Sequence, residues 1–176
     1  MKVVRAINTK VMRLFSIKAI PTAMLECLLD HQFVHIVCHG ILKPGKPLEA
    51  SFKLHKGKLL LLDIIRSQLP DAEFAFLSAC HTAELTEESI ADEVLHLTAA
   101  MQFCRFRSIV GTMWEMADID GQGLARDFYS EVFSDTKQGT CYYKRMAKAL
   151  RDAVVKLRRK RNTTLEHWVN YVYYSA

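Results

Sequence analysis

The chain has 176 residues, 50% of them hydrophobic and 24% charged, with a net charge of +5. That length carries one domain with a real core and leaves little room for a second, and the composition is that of a globular protein. The basic excess is modest and is not interleaved with aromatics, so nucleic acid is not expected as a partner; no apolar run approaches the roughly 20 residues of a helical membrane span, so a membrane is not expected either.

Lys2 to Ile7 and Val11 to Ile17, rich in Val, Ile, Leu and Phe, read as strands. Between Met1 and Ile20 the apolar residues are broken up by Lys2, Arg5, Lys10, Arg13 and Lys18, unlike the core of a secretion signal. Pro21 opens a helix in which Met24, Leu25, Leu28 and Leu29 fall at helical spacing. Phe33 to Cys38 is a strand apolar on both faces, as a central parallel strand is. A Pro/Gly loop at 43–47 leads to Ser51–Leu54 and Lys58–Leu61, which flank Lys56-Gly57 as a hairpin. Asp63 caps a short helix through Leu69, stopped by Pro70.

Phe74 to Ala79 is a second buried strand, followed by an acidic loop with Glu84, Glu87 and Glu88. Ser89 and Asp92 have the spacing of a capping box and open a helix to about Phe103, with Ile90, Val94, Leu97 and Met101 inward. Arg107 to Met113 is a third strand. Gly121–Phe133 and Cys141–Lys160 are amphipathic helices, and Trp168 to Tyr174 is a last strand. Strands alternating with helices over short links predict an α/β domain of three layers (αβα) around a mainly parallel sheet, spanning 1–176. The basic run Lys156, Arg158, Arg159, Lys160 and Arg161 reads as the solvated end of a helix.

The first buried strand stops at His39-Gly40 and the second at Cys80. In open parallel sheets, functional groups gather just past the carboxyl ends of strands, and neighbouring strands lie about 4.8 Å apart. Alternation puts Phe33, His35, Val37 and His39 on one face, and Phe74, Phe76, Ser78 and Cys80 on another. A pair drawn from the two sets can meet, although alternation does not say which pair. The chemistry offered is acyl transfer: a Cys80 thiol activated by His39, with the N–H groups of Gly40 and Cys80 as an oxyanion hole. The same residues also suit a quieter reading, since buried cysteines are usually small core residues. Cys38-His39 and Cys80-His81 superficially offer four zinc ligands, but alternation keeps them from converging, and no metal site or other cofactor is expected. Five cysteines, an odd count without CxxC spacing, point to reduced thiols and a cytoplasmic setting.

Val37-Cys38-His39-Gly40 and Phe74 to Ala83, then Ala91 to Leu97, Arg107 to Trp114, Asp127-Phe128-Tyr129, Ala147 to Leu157 and Trp168-Val169, resemble in order the blocks of the CHAT domain. This is a caspase-like and separase-like peptidase family, and the similarity covers roughly residues 22–174, with 1–21 poorly matched. The resemblance implies a cysteine endopeptidase in which His39 and Cys80 are the catalytic pair and the partner is a protein or peptide substrate. It implies that Trp114 to Asp120 follows the separase segment lining a pocket for a basic side chain, with Asp118 the best-aligned carboxylate and Asp120 second. The alternative for Asp118 is an acid at a helix start. Set against the family pattern, an early strand and helix are missing or altered, so the fold is shortened at its N-terminal side. His81 stands where an acid is common. The helical repeats (TPR-type) that commonly precede such domains are absent from the chain, leaving them as a regulatory region or partner. The competing reading is a catalytically inactive module of the same fold that serves protein interaction or signalling.

Overall fold

The computed structural model describes residues 12–41, 43, 46–81, 101–113, 118–134, 143–161 and 163–175; at 47, 79–81, 118–120 and 143–144 it describes the backbone only. The helices are α1 (Pro21–Asp30), α2 (Leu61–Arg66), α3 (Asp118–Val132), α4 (Tyr143–Arg158) and α5 (Leu165–Val169), and 101–103 is also helical. The strands are β1 (Phe33–Ile41), β2 (Ser51–Leu54), β3 (Gly57–Leu60), β4 (Phe74–His81), β5 (Ser108–Thr112) and β6 (Tyr171–Ser175), in one sheet of order β3-β2-β1-β4-β5-β6.

The fold is α/β, but the sheet is mixed rather than mainly parallel. β1, β4 and β5 run parallel, while β1–β2, β2–β3 and β5–β6 are antiparallel. Link length decides the hairpin: a parallel crossover takes a dozen or more residues, whereas β2 and β3 are joined by the two-residue turn His55-Lys56. Residues 113–170 separate β5 from β6, so there the direction follows instead from where β6 starts, with Tyr171 opposite Thr112 at the end of β5. Lys56, not Gly57, takes the left-handed conformation in that turn, with φ 59°.

The parallel strands are aligned before they begin. The Gln32 carbonyl accepts the N–H groups of Glu73 and Phe74 at 2.9 and 3.1 Å, and the Glu73 carbonyl accepts that of Ser108 at 3.0 Å. Alternation then sorts their side chains into two cores. Ile36, Ala75, Leu77 and Ile109 join Leu28 of α1 and Leu61 and Ile64 of α2, with Phe52, Met101 and Phe106. Phe74, Phe76 and Val110 join Leu124 and Phe128 of α3 and Met146, Leu150 and Leu157 of α4.

Four local expectations change. Residues 12–15 are irregular and Ser16–Lys18 is a single 3-10 turn, not a strand: Ser16 has φ 51°, which no strand accommodates. The strand expected at Lys2–Ile7 lies outside the described residues, as do the acidic loop and the capping box at Ser89. Asp63 sits in the first turn of α2 rather than at its cap, where its charge still faces the positive end of the helix. That helix stops at Arg66, not Leu69, because Gln68 turns left-handed at φ 47° and the residue before Pro70 avoids helical geometry. Trp168 belongs to α5, so the last strand starts only at Tyr171.

Phe128 is fully buried and touches the rings of Phe74, Phe76 and Tyr129 at 5.5, 5.4 and 5.1 Å. Phe128→Ala is expected to lower stability by about 3–5 kcal/mol. Phe103→Ala, at a ring 75% exposed, is expected to shift it by less than about 0.5 kcal/mol. Urea unfolding of the two variants measures both.

Candidate active site

β1 and β4 pair in register from Phe33 opposite Phe74 to Gly40 opposite His81, which makes His39 and Cys80 direct partners. Neighbouring strands run about 4.8 Å apart. The expected dyad therefore occupies adjacent backbone positions at the carboxyl ends of two parallel strands.

The faces of β1 differ. Ile36 and Gly40 are buried, and the half-buried Cys38 packs against the first core. His35, Val37 and His39 are exposed, Val37 to 71%. Cys38 and His39 thus lie on opposite faces and cannot serve one metal ion, and the Cys38 thiol donates instead to the His39 carbonyl at 3.6 Å. One rung below the dyad the shared face is seen directly. His35 Nε2 lies 3.2 Å from Ser78 Oγ, and its ring packs 4.6 Å from Phe76 and 5.7 Å from Tyr129. Cys80 has the parity of Phe76 and Ser78, as His39 has that of His35.

Gly40 lies within the strand, opposite Phe52 on one side and His81 on the other. Asp118 opens α3, with Asp120 in the same first turn, six residues past the end of β5 and so at the rim where β1 and β4 also end. A carboxylate is favourable at that position whatever else it does. Trp114 lies outside the described residues.

Two other described thiols are poor nucleophiles. Burial pushes the Cys104 thiol up to about 12, and burial, then Asp30 and Glu26, raise that of Cys27. Cys141 lies outside the described residues.

The residue that sequence reasoning passed over is His35. Strand alternation gives it a face but no role; the signal in the sequence is a polar pair, His35 and Ser78, inside two apolar runs. Desolvation among the aromatic rings pushes its pKa down to about 4. The residue as a whole is nonetheless exposed, and contact with water works against that depression. Burial likewise raises the Tyr129 phenol well above its usual range.

Folding thus favours neutral His35, while the unfolded chain takes up a proton near pH 6.5. The stability tied to this group is fully present above pH 6.5 and is lost as pH falls toward about 4. Urea midpoints measured across that window are expected to fall less steeply in His35→Phe than in the parent chain. Equal slopes would show that other groups carry the acid sensitivity.

No curated protein matches the chain. A model of the CHAT domain matches residues 3–176, starting nearer the N-terminus than the resemblance over roughly residues 22–174. The match runs through both strand ends just described, and the chain belongs to the CHAT domain family.

Proposed function

We propose that the chain is a cysteine endopeptidase domain of caspase-like, three-layer architecture that works in the cytoplasm on protein substrates. The observation that carries this reading is the register of β1 on β4, which makes His39 and Cys80 neighbours at one rim. The family supports the architecture, and the two cores on opposite sheet faces fit it.

In this mechanism His39 takes the thiol proton as the Cys80 sulfur attacks the peptide carbonyl. The carbonyl oxygen becomes an anion held by the N–H groups of Gly40 and Cys80, a hole that requires the Gly40 N–H to be free of the strand ladder at the rim. As the C–N bond breaks, His39 returns the proton to the leaving amine. Water, deprotonated by His39, then attacks the thioester, and the sulfur leaves with the proton restored. Asp118 is assigned to meet a basic substrate side chain, with Asp120 and Trp114 as the further pocket residues; what supports this is that α3 starts six residues past the end of β5, a parallel neighbour of β4. A helical-repeat region or partner supplies regulation.

Cys80→Ala and His39→Ala are each expected to abolish cleavage of a peptide library while leaving the circular dichroism spectrum unchanged. A thiol reagent is expected to label Cys80 below pH 7 and to lose that reactivity in His39→Ala, with Cys104 silent in both. Equal cleavage by the parent chain and Cys80→Ala sinks the mechanism. No cleavage by either, together with ordinary thiol reactivity, leaves an interaction module of the same fold.

A further inference from the structure

The cations of α4 fall into two groups. In its middle they are neutralised: Lys148 pairs with Glu131 at 3.0 Å and Asp152 at 2.8 Å, and Arg151 pairs with Asp152 at 2.7 Å. Past Asp152 the pattern changes. Lys156, Arg158, Arg159, Lys160 and Arg161 place five cations within six residues, all exposed. None of them forms an ion pair among the described residues. The negative end of a helix accounts for Lys156 and Arg158, which lie in the last turn. It does not account for the three beyond it.

Apolar residues stand beside this cluster. The Arg158 guanidinium lies 5.1 Å from the centre of the Trp168 ring, which holds α5 against the end of α4. On α5, Leu165 is 60% exposed and Val169 37%, and their spacing of four puts them on one face. Glu166 is the acid in the first turn of α5. The surface has a definite place in the fold. The Lys160 ammonium lies so close to Gly123 that a Cβ there would meet it at 3.0 Å, near the start of α3. Tyr171, just past α5, pairs with Thr112 at the end of β5. The cluster therefore borders the same rim as His39 and Cys80, on the β6 side.

We propose that the end of α4 together with α5 is a peripheral docking surface for an anionic lipid bilayer. Lys156, Arg159, Lys160 and Arg161 meet headgroup phosphates, while Leu165 and Val169 enter the boundary between headgroups and acyl chains. The charge selects an anionic partner, and the exposed aliphatic pair selects lipid among anionic partners. Single-stranded nucleic acid calls for open aromatic faces, and a face of Trp168 is already covered by Arg158; the exposed aliphatic pair has no counterpart to meet on a duplex backbone. Nothing here spans the bilayer: among the described residues no helix is long and apolar enough. The inference does not depend on the cysteine chemistry.

Sedimentation of the full chain with vesicles tests it, comparing phosphatidylcholine alone with phosphatidylcholine plus phosphatidylserine. Binding is expected only to the anionic vesicles and is expected to vanish in molar salt. Replacing Lys156, Arg159, Lys160 and Arg161 together by Ala is expected to lower partitioning at least about a hundredfold, and Leu165→Gln several-fold. Equal binding to both vesicle types, or an unchanged quadruple variant, overturns the proposal. So does a hexaglutamate peptide that displaces the vesicles while Leu165→Gln binds as the parent does, because the surface is then an acidic-peptide site.

Discussion

The parallel pairing of β1 with β4 is the constraint on which the rest of the structure depends. It runs unbroken over eight rungs. Its register is strongly specified, because a slip of one residue would turn every side chain of one strand to the other face. Such a slip in β4 would drive Phe74 and Phe76 out of the core formed with α3 and α4 and exchange them for Ala75 and Leu77. The loss of that aromatic packing excludes the slip. The placement of residue 80 opposite His39 is thus maintained by phenylalanines that take no part in any chemistry.

The same face shows why the candidate site lies where it does. The early rungs of β1 and β4 are covered: Phe33, Phe74 and Phe76 pack with Phe128, Tyr129 and Phe133, on and just past α3. Toward the strand ends Val37 and His39 are exposed, with no such rings over them among the described residues. His35 marks the border. Its ring lies against Phe76 and Tyr129, while its Nε2 meets the Ser78 hydroxyl at 3.2 Å. That crowding lowers its proton affinity and makes it a poor base at neutral pH. Of the two imidazoles on this face of β1, the aromatic rings take up one, while the other, His39, is exposed near the strand end.

Much of this was legible in the sequence, since an apolar run bounded by turn residues is a local signal. β1, β4 and β5 were read within a few residues, as were α1, α3, α4 and the β2–β3 hairpin. What was not legible depends on groups far apart in the chain. The register comes from the Gln32 carbonyl receiving the N–H groups of Glu73 and Phe74, a contact that no spacing rule reveals. The mixed sheet follows from how β6 returns: the Asn170 carbonyl accepts the Met113 N–H at 2.9 Å, which fixes Tyr171 on Thr112 and reverses the direction. Trp168 was read into the strand because β-strand preference favours aromatics, but its ring serves Arg158 from a helix instead.

The candidate site shows the same division. Residue types and strand ends named His39 and Cys80, and alternation left the pairing open; only the register makes them partners. Asp118 is less determined. An acid in the first turn of α3 is favoured by the helix alone, so its position at the rim is compatible with substrate recognition without requiring it. The two roles differ in what they demand of the helix start. A capping acid needs only its own backbone N–H groups, whereas a pocket acid must leave an oxygen free for an incoming cation. The backbone puts Asp118 and Asp120 in one turn, so in the pocket role proposed above the two demands need not fall on the same residue.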